Sequence, residues 1–140
     1  MKRSRRRVTG ALPRCVLDSG GVTALLGRSQ SARAWLRWLA NHGGEIVVPA
    51  AVLSECITGD VGRDAEVNRI LGALSIMPTG EPTGRLAGAL RFRAKTDDGI
   101  DAIVATEAAV AQVTTVLLTS DPKDLARLLS SAKHVKIQRA

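Results

Sequence analysis

The chain has 140 residues, of which 45% are hydrophobic and only 2% aromatic, and its formal net charge is +7. This is enough chain for one domain with an aliphatic core. The scarcity of aromatics argues against base stacking as the main mode of binding, and no apolar stretch has the length of a membrane span. The charge is uneven. Residues 1–14 hold Lys2, Arg3, Arg5, Arg6, Arg7 and Arg14 and no acid, whereas the rest holds 14 basic and 13 acidic side chains. Residues 1–14 therefore read as a flexible basic extension able to attract phosphate without a fixed structure, and residues 15–140 as the folded domain. Pro13 and Arg14 interrupt the chain before a signal-peptide core develops, so the expected compartment is the cytoplasm. Cys15 and Cys56 are too few for a disulfide framework or a zinc site and read as buried free thiols. His42 and His134 read as isolated surface residues.

After the extension, Cys15–Leu17 reads as a strand, and Ser19-Gly20-Gly21 turns into a short helix over Val22–Leu26. Ser31 is a candidate cap for a helix over Ala32–Ala40, whose Ala32, Trp35, Leu36 and Leu39 repeat at helical spacing. Trp35 and Trp38 read as packing residues. Asn41-His42-Gly43-Gly44 is a loop, Glu45–Val48 a strand, and Pro49 opens a helix over Ala50–Thr58. An amphipathic helix over Arg63–Leu74 and a short strand over Ser75–Pro78 follow. Thr83–Lys95 is helical with Leu86 and Leu90 inward, and Ile100–Gln112 is the most apolar helix. Val113–Ser120 is the fourth strand, Pro122–Leu129 a helix, and Val135–Gln138 a fifth, edge strand. Strands alternating with helices predict an α/β fold with a mostly parallel sheet of four to five strands flanked by helices.

Four carboxylates stand at the ends of these elements: Asp18 after the first strand, Glu55 within the helix after the second, Asp101 at the opening of the apolar helix, and Asp121 after the fourth strand. In an open parallel sheet the carboxyl ends of the strands share one edge, where ligands bind. There the four acids would form a pocket suited to a hard divalent cation. Taken singly, Asp18, Asp101 and Asp121 also read as caps. Glu55 does not, because an apolar helix that buried it would need a partner or a metal for it. Rival α/β chemistries lack their signatures: no G-x-x-x-x-G-K-[ST] loop, no G-x-G-x-x-G after the first strand and no G-x-S-x-G elbow occurs. The Asp-x-Asp of haloacid dehalogenase-type phosphotransferases is also missing at Asp18-Ser19-Gly20.

The segments Val16-Leu17-Asp18-Ser19-Gly20, Val48-Pro49-Ala50-Ala51-Val52-Leu53-Ser54-Glu55, Asp101-Ala102-Ile103-Val104-Ala105 and Leu118-Thr119-Ser120-Asp121-Pro122-Lys123-Asp124-Leu125 carry a resemblance. In order and spacing the chain resembles PIN-domain ribonucleases, specifically the VapC-type toxins of bacterial toxin–antitoxin pairs, from about Cys15 to Leu129. The resemblance implies a PIN-like three-layer fold and a metal-dependent endoribonuclease. In it Asp18, Glu55, Asp101 and Asp121 would be the catalytic, Mg²⁺- or Mn²⁺-binding acids. Asp18 and Asp101 would be the first direct ligands, and Glu55 and Asp121 further ligands, holders of a second ion or residues that orient metal-bound water. Thr119 and Ser120 would steady the site through their hydroxyls. It also implies an antitoxin partner whose Arg or Lys enters the acidic pocket, and a homodimer formed through the early helices. For RNA, Arg33 and Arg37 share a helix face, and Arg85, Arg91, Arg93 and Lys95 read as a local basic cluster. The alternatives are a catalytically silent PIN-like module that binds RNA or protein, and a PIN nuclease of RNA maturation.

Overall fold

The computed structural model describes residues 12–140, so the segment Lys2–Arg7 lies outside the described residues. Five strands, β1 (Arg14–Leu17), β2 (Glu45–Pro49), β3 (Ser75–Met77), β4 (Thr115–Thr119) and β5 (Val135–Arg139), form one sheet in the order β3-β2-β1-β4-β5. Every pairing is parallel. The apolar runs Cys15-Val16-Leu17, Val47-Val48 and Val116-Leu117-Leu118 are buried, as expected of parallel strands covered on both faces.

Among the described residues seven α-helices supply the cover: α1 (Ser19–Leu26), α2 (Gln30–Asn41), α3 (Leu53–Cys56), α4 (Val61–Leu71), α5 (Glu81–Ala94), α6 (Gly99–Val110) and α7 (Pro122–Leu128). They fall into two groups, α1 packing with α2, α3 and α4, and α5, α6 and α7 packing on one another. Right-handed crossovers place these groups on opposite faces of the sheet, which gives three layers. The apolar helix α6 crosses β1, β2 and β4 and buries Ala102, Val104, Ala105 and Ala108. At its far end, the buried Arg14 guanidinium on β1 pairs with the buried Glu107, 3.4 Å away, and donates to the Glu107 carbonyl.

Several local expectations are corrected. β1 starts at Arg14 rather than Cys15, and Arg14 is a core residue rather than part of an extension. Ser29, not Ser31, caps α2 by accepting from the Ala32 N–H. Pro49 ends β2, and the single helix expected over Ala50–Thr58 is a 3₁₀ turn, Ala50–Val52, followed by the one-turn α3. Glu55 is consequently exposed rather than buried in an apolar helix, and Cys56 is half-buried. Leu86 points outward, 54% exposed, whereas its neighbour Ala87 is buried, and Gly84, Ala87 and Gly88 of α5 line a groove with Gly99, Ala102 and Ile103 of α6. Trp35 is half-buried against the core, but Trp38 is exposed. His134 is half-buried, its Nε2 2.8 Å from the Ala109 carbonyl.

Candidate active site

The strand order reverses between β1 and β4, because β2 and β3 lie to one side and β5 to the other. The crevice outside the carboxyl ends at such a reversal is where open parallel sheets bind ligands. Asp18 follows β1 and Asp121 follows β4, so these two acids flank that crevice. Asp18 is buried and caps α1, accepting from the Gly21 N–H at 2.8 Å. The chain around it leaves no room for side chains: a Cβ on Gly21 would lie 2.7 Å from the Leu118 carbonyl, and one on Gly20 2.7 Å from the Ser120 nitrogen. Two glycines thus let the start of α1 lie against the loop between β4 and α7.

Thr119, fully buried, ties the two acids together. Its Oγ1 accepts from the Asp121 N–H at 3.1 Å, and its hydroxyl acts on the Asp18 carboxyl, pulling that pKa down. Asp121 itself is exposed and caps α7 through the Lys123 N–H. Asp101 lies half-buried in the first turn of α6, its N–H held by the Asp98 carboxylate at 2.9 Å. Glu55 stands on the wall of a groove of about 480 Å³ that Ser19, Gly20, Thr23, Ser120 and Ala140 also line.

The charges of these groups reach one another. Burial raises the Asp18 pKa and the Asp121 charge raises it further, against the pull of the Thr119 hydroxyl and the Gly21 and Gly20 N–H groups. Asp101 is pushed up to about 7, first by burial and then by the charges of Asp98, Asp18, Asp124 and Glu55. The neighbouring Cys56 thiol is raised by burial and by Glu55 and Asp18. The four acids expected at one edge therefore share one electrostatic neighbourhood, and Asp98 and Asp124 join it. Those two were missed because each reads as an ordinary helix-start acid. The available signal was Asp124 standing three residues past Asp121, which places both in the first turn of α7.

Among the described residues, none of Asp18, Glu55, Asp101 and Asp121 has an ion-pair partner. Nor, among the described residues, do three acidic, His or Cys side chains close into a ready-made ligand cluster. Mg²⁺ keeps several waters and takes one or two carboxylates directly, so a loose ring of hard oxygen donors fits it where a closed cage is not required.

The basic residues do not gather as expected. Arg85 is exposed and pairs with Glu81 at 3.7 Å. Arg91 lines the groove between α5 and α6, whereas Arg93 lines one shared with Arg127, Ser130 and Ser131 of the α7 side. Side chains two apart on a helix face away from each other, which is why a sequence cluster divides in space. Lys95 ends α5 in the left-handed conformation, with φ 55°. Arg33 and Arg37 are exposed together on α2, with Leu36 between them.

A family model described as the PIN domain matches residues 15–128. This chain belongs to the PIN-domain family. Comparison with curated protein sequences gave no match. Solved structures share the fold of this PIN domain. VapBC2 from Rickettsia felis, bound to a DNA fragment from its promoter, is 17% identical with a TM-score of 0.70, covering 91% of this chain and 98% of that one. DNA-bound VapBC from Salmonella typhimurium is 14% identical with a TM-score of 0.66 over 91% and 98%. A toxin–antitoxin complex from Klebsiella pneumoniae is 17% identical with a TM-score of 0.65 over 87% and 95%. The three-layer α/β architecture expected from the sequence is the one found.

Proposed function

We propose that this PIN domain is a metal-dependent endoribonuclease and the toxin of a toxin–antitoxin pair. One arrangement supports the reading: Asp18 and Asp121 flank the crevice at the strand-order reversal, and Glu55 stands on the adjoining groove wall. None of these or Asp101 has an ion-pair partner among the described residues, and burial with the charges of Asp98, Asp18, Asp124 and Glu55 raises the Asp101 pKa to about 7. A carboxylate held at such a potential favours a cation of any kind. Asp18 and Asp101 would hold Mg²⁺ or Mn²⁺. When bound, that ion would supply Lewis-acid activation of water and charge stabilisation at the scissile phosphate. Glu55 and Asp121, exposed on either side, orient the attacking water and accept its proton. The water oxygen bonds to phosphorus as the bond to the leaving ribose oxygen breaks. Neither histidine serves as base, since His134 is tied to the Ala109 carbonyl and His42 to the Trp38 carbonyl. Thr119 holds Asp18 and Asp121 in place, and Ser120 stands beside them on the groove wall.

The three solved structures named above are toxin–antitoxin complexes, which supports a cognate antitoxin. The proposal further includes an antitoxin Arg or Lys that neutralises the acids, a homodimer and action in the cytoplasm. No helix among the described residues is long and apolar enough to cross a membrane. The test is growth on induced expression, with RNA cleavage in cell extracts, for the parent, Asp18→Asn and Asp101→Asn at matched protein levels. Arrest and cleavage by the parent alone are expected. Equal effects from all three place the chemistry elsewhere, and no effect from any supports the silent module.

A further inference from the structure

The exposed outer face of α2, together with the neighbouring edge strand β5, differs from the rest of the surface. Residues 19–44 contain Arg28, Arg33 and Arg37 and no acid, and residues 125–140 contain Arg127, Lys133, Lys136 and Arg139 and no acid. The two acid-free segments meet, for the Lys136 ammonium lies 5.2 Å from the centre of the Trp35 ring. Among the described residues, Arg28, Arg33, Arg37, Lys133, Lys136 and Arg139 form no ion pair.

Both tryptophans of the chain lie on this same helix. Trp35 and Trp38 meet edge to face at 5.9 Å, and Trp38 stacks on His42 with ring centres 4.4 Å apart. The rings form a row one helical turn apart, with Trp38 and His42 open to solvent. A buried tryptophan would be core and no more. An exposed one, in a chain with so few aromatics, among cations lacking acidic partners, has the two features that recognise single-stranded nucleic acid: π-faces for bases and positive charge for the backbone.

We propose that this α2–β5 face binds single-stranded RNA outside the acidic crevice, with Trp38 and His42 stacking against bases and Arg33, Arg37 and Lys136 meeting phosphates. The inference rests on the ribonuclease reading for the choice of RNA. Charge complementarity selects a polyanion, and the aromatic row selects one with unpaired bases. The loop from Gly27 to Ser29, which leads into α2, borders the groove that holds Glu55, so a strand lying along α2 runs toward the acids.

The experiment uses the full chain carrying Asp101→Asn, so that cleavage does not intervene, titrated with a fluorescently labelled oligoadenylate at low salt. Both tryptophans lie in the proposed face, so their intrinsic emission reports contact there. Binding is expected to quench it. In the same background Trp38→Ala is expected to weaken binding by about tenfold or more. Replacing Arg33 and Arg37 by Gln is expected to lower the slope of log affinity against log salt by about 1.4, since each lost phosphate contact on a single strand removes about 0.7. Circular dichroism of each variant verifies the fold. Oligonucleotide binding with unchanged tryptophan emission and no loss in Trp38→Ala overturns the proposal and leaves the face to a protein partner, as does absence of binding. The ribonuclease reading fails separately, when the parent cuts no RNA, and quenching that persists in that case leaves the binding face standing.

Discussion

Among the described residues three carboxylates are buried; Glu107 is paired with Arg14, and the two without an ion-pair partner, Asp64 and Asp18, are treated oppositely. Asp64, on α4, accepts from the Thr58 N–H at 2.9 Å, the Thr58 hydroxyl at 2.7 Å and the Gly59 N–H at 2.8 Å. These donors hold its pKa below the ordinary value, the Thr58 N–H contributing most. Asp18, whose burial outweighs its donors and which has the Asp121 charge beside it, is held above the ordinary value. The first arrangement is complete: the carboxylate closes the turn ahead of α4 and has nothing left to bind. The second is incomplete, and so is that of Asp101. A buried acid matched by donors from its own chain is structural, and one left short of positive partners is where the proposed cation would bind.

That contrast is open to direct attack. The largest effect is expected on activity. Asp18→Asn or Asp101→Asn should cut RNA hydrolysis by at least about 100-fold, since cation binding at the scissile phosphate is worth several kcal/mol. Asp64→Ala should leave the remaining folded fraction active, which RNA cleavage normalised to folded protein will show. On stability the order inverts. Asp64→Ala orphans the donors that close its turn and should give the largest fall in the midpoint of urea unfolding, with no dependence on metal. A smaller effect is expected from Mg²⁺ or Mn²⁺. Either should raise the parent's unfolding free energy by about 1.4 kcal/mol at about ten times its Kd, and the rise should vanish when Asp18 and Asp101 are both Asn. Calorimetry with and without the ion checks this, and an indifferent melting temperature counts against the site.

The smallest effect concerns pH. Folded Asp101 keeps its proton up to about pH 7, whereas the unfolded side chain releases it near 3.8. The folded state therefore binds the extra proton, and its advantage is full at low pH and lost as pH rises through 7. Asp101→Asn should accordingly be more stable than the parent by about 1 kcal/mol at about pH 8, after allowance for solvent screening at this half-buried site, and equal to it at about pH 4. Denaturant unfolding at both pH values decides it.

The fold was legible in the sequence where pattern and burial coincide. Val16-Leu17, Val47-Val48 and Leu117-Leu118 are continuous apolar runs because helices cover both faces of the sheet, and β1, β2 and β4 stand where those runs predict, as β3, β5 and the apolar α6 stand on their own expected segments. Legibility failed where one turn of chain decides an orientation. Glu55 faces solvent because the 3₁₀ turn and α3 replace a continuous helix. Leu86 faces outward and Ala87 takes the buried position on α5, a choice of face that apolar periodicity, which does not weigh a small residue, missed. The acids at the strand ends were legible because a parallel sheet sends them to one edge. Asp98, Asp124 and the bridging by Thr119 were not, since side-chain hydrogen bonds across elements leave no periodic trace.

The central strand has a consequence for the order in which the protein comes into being. β1 pairs with β2 on one side and, across most of the chain, with β4 on the other, Arg14 opposite Thr115. A growing polypeptide therefore displays Asp18 early but has no crevice until β4 and Asp121 have emerged to form its second wall. Contacts so distant in sequence form late. A ribosome making this protein thus carries it without its acidic crevice through nearly the whole of translation, and any product cut short before Asp121 never acquires the crevice's second wall.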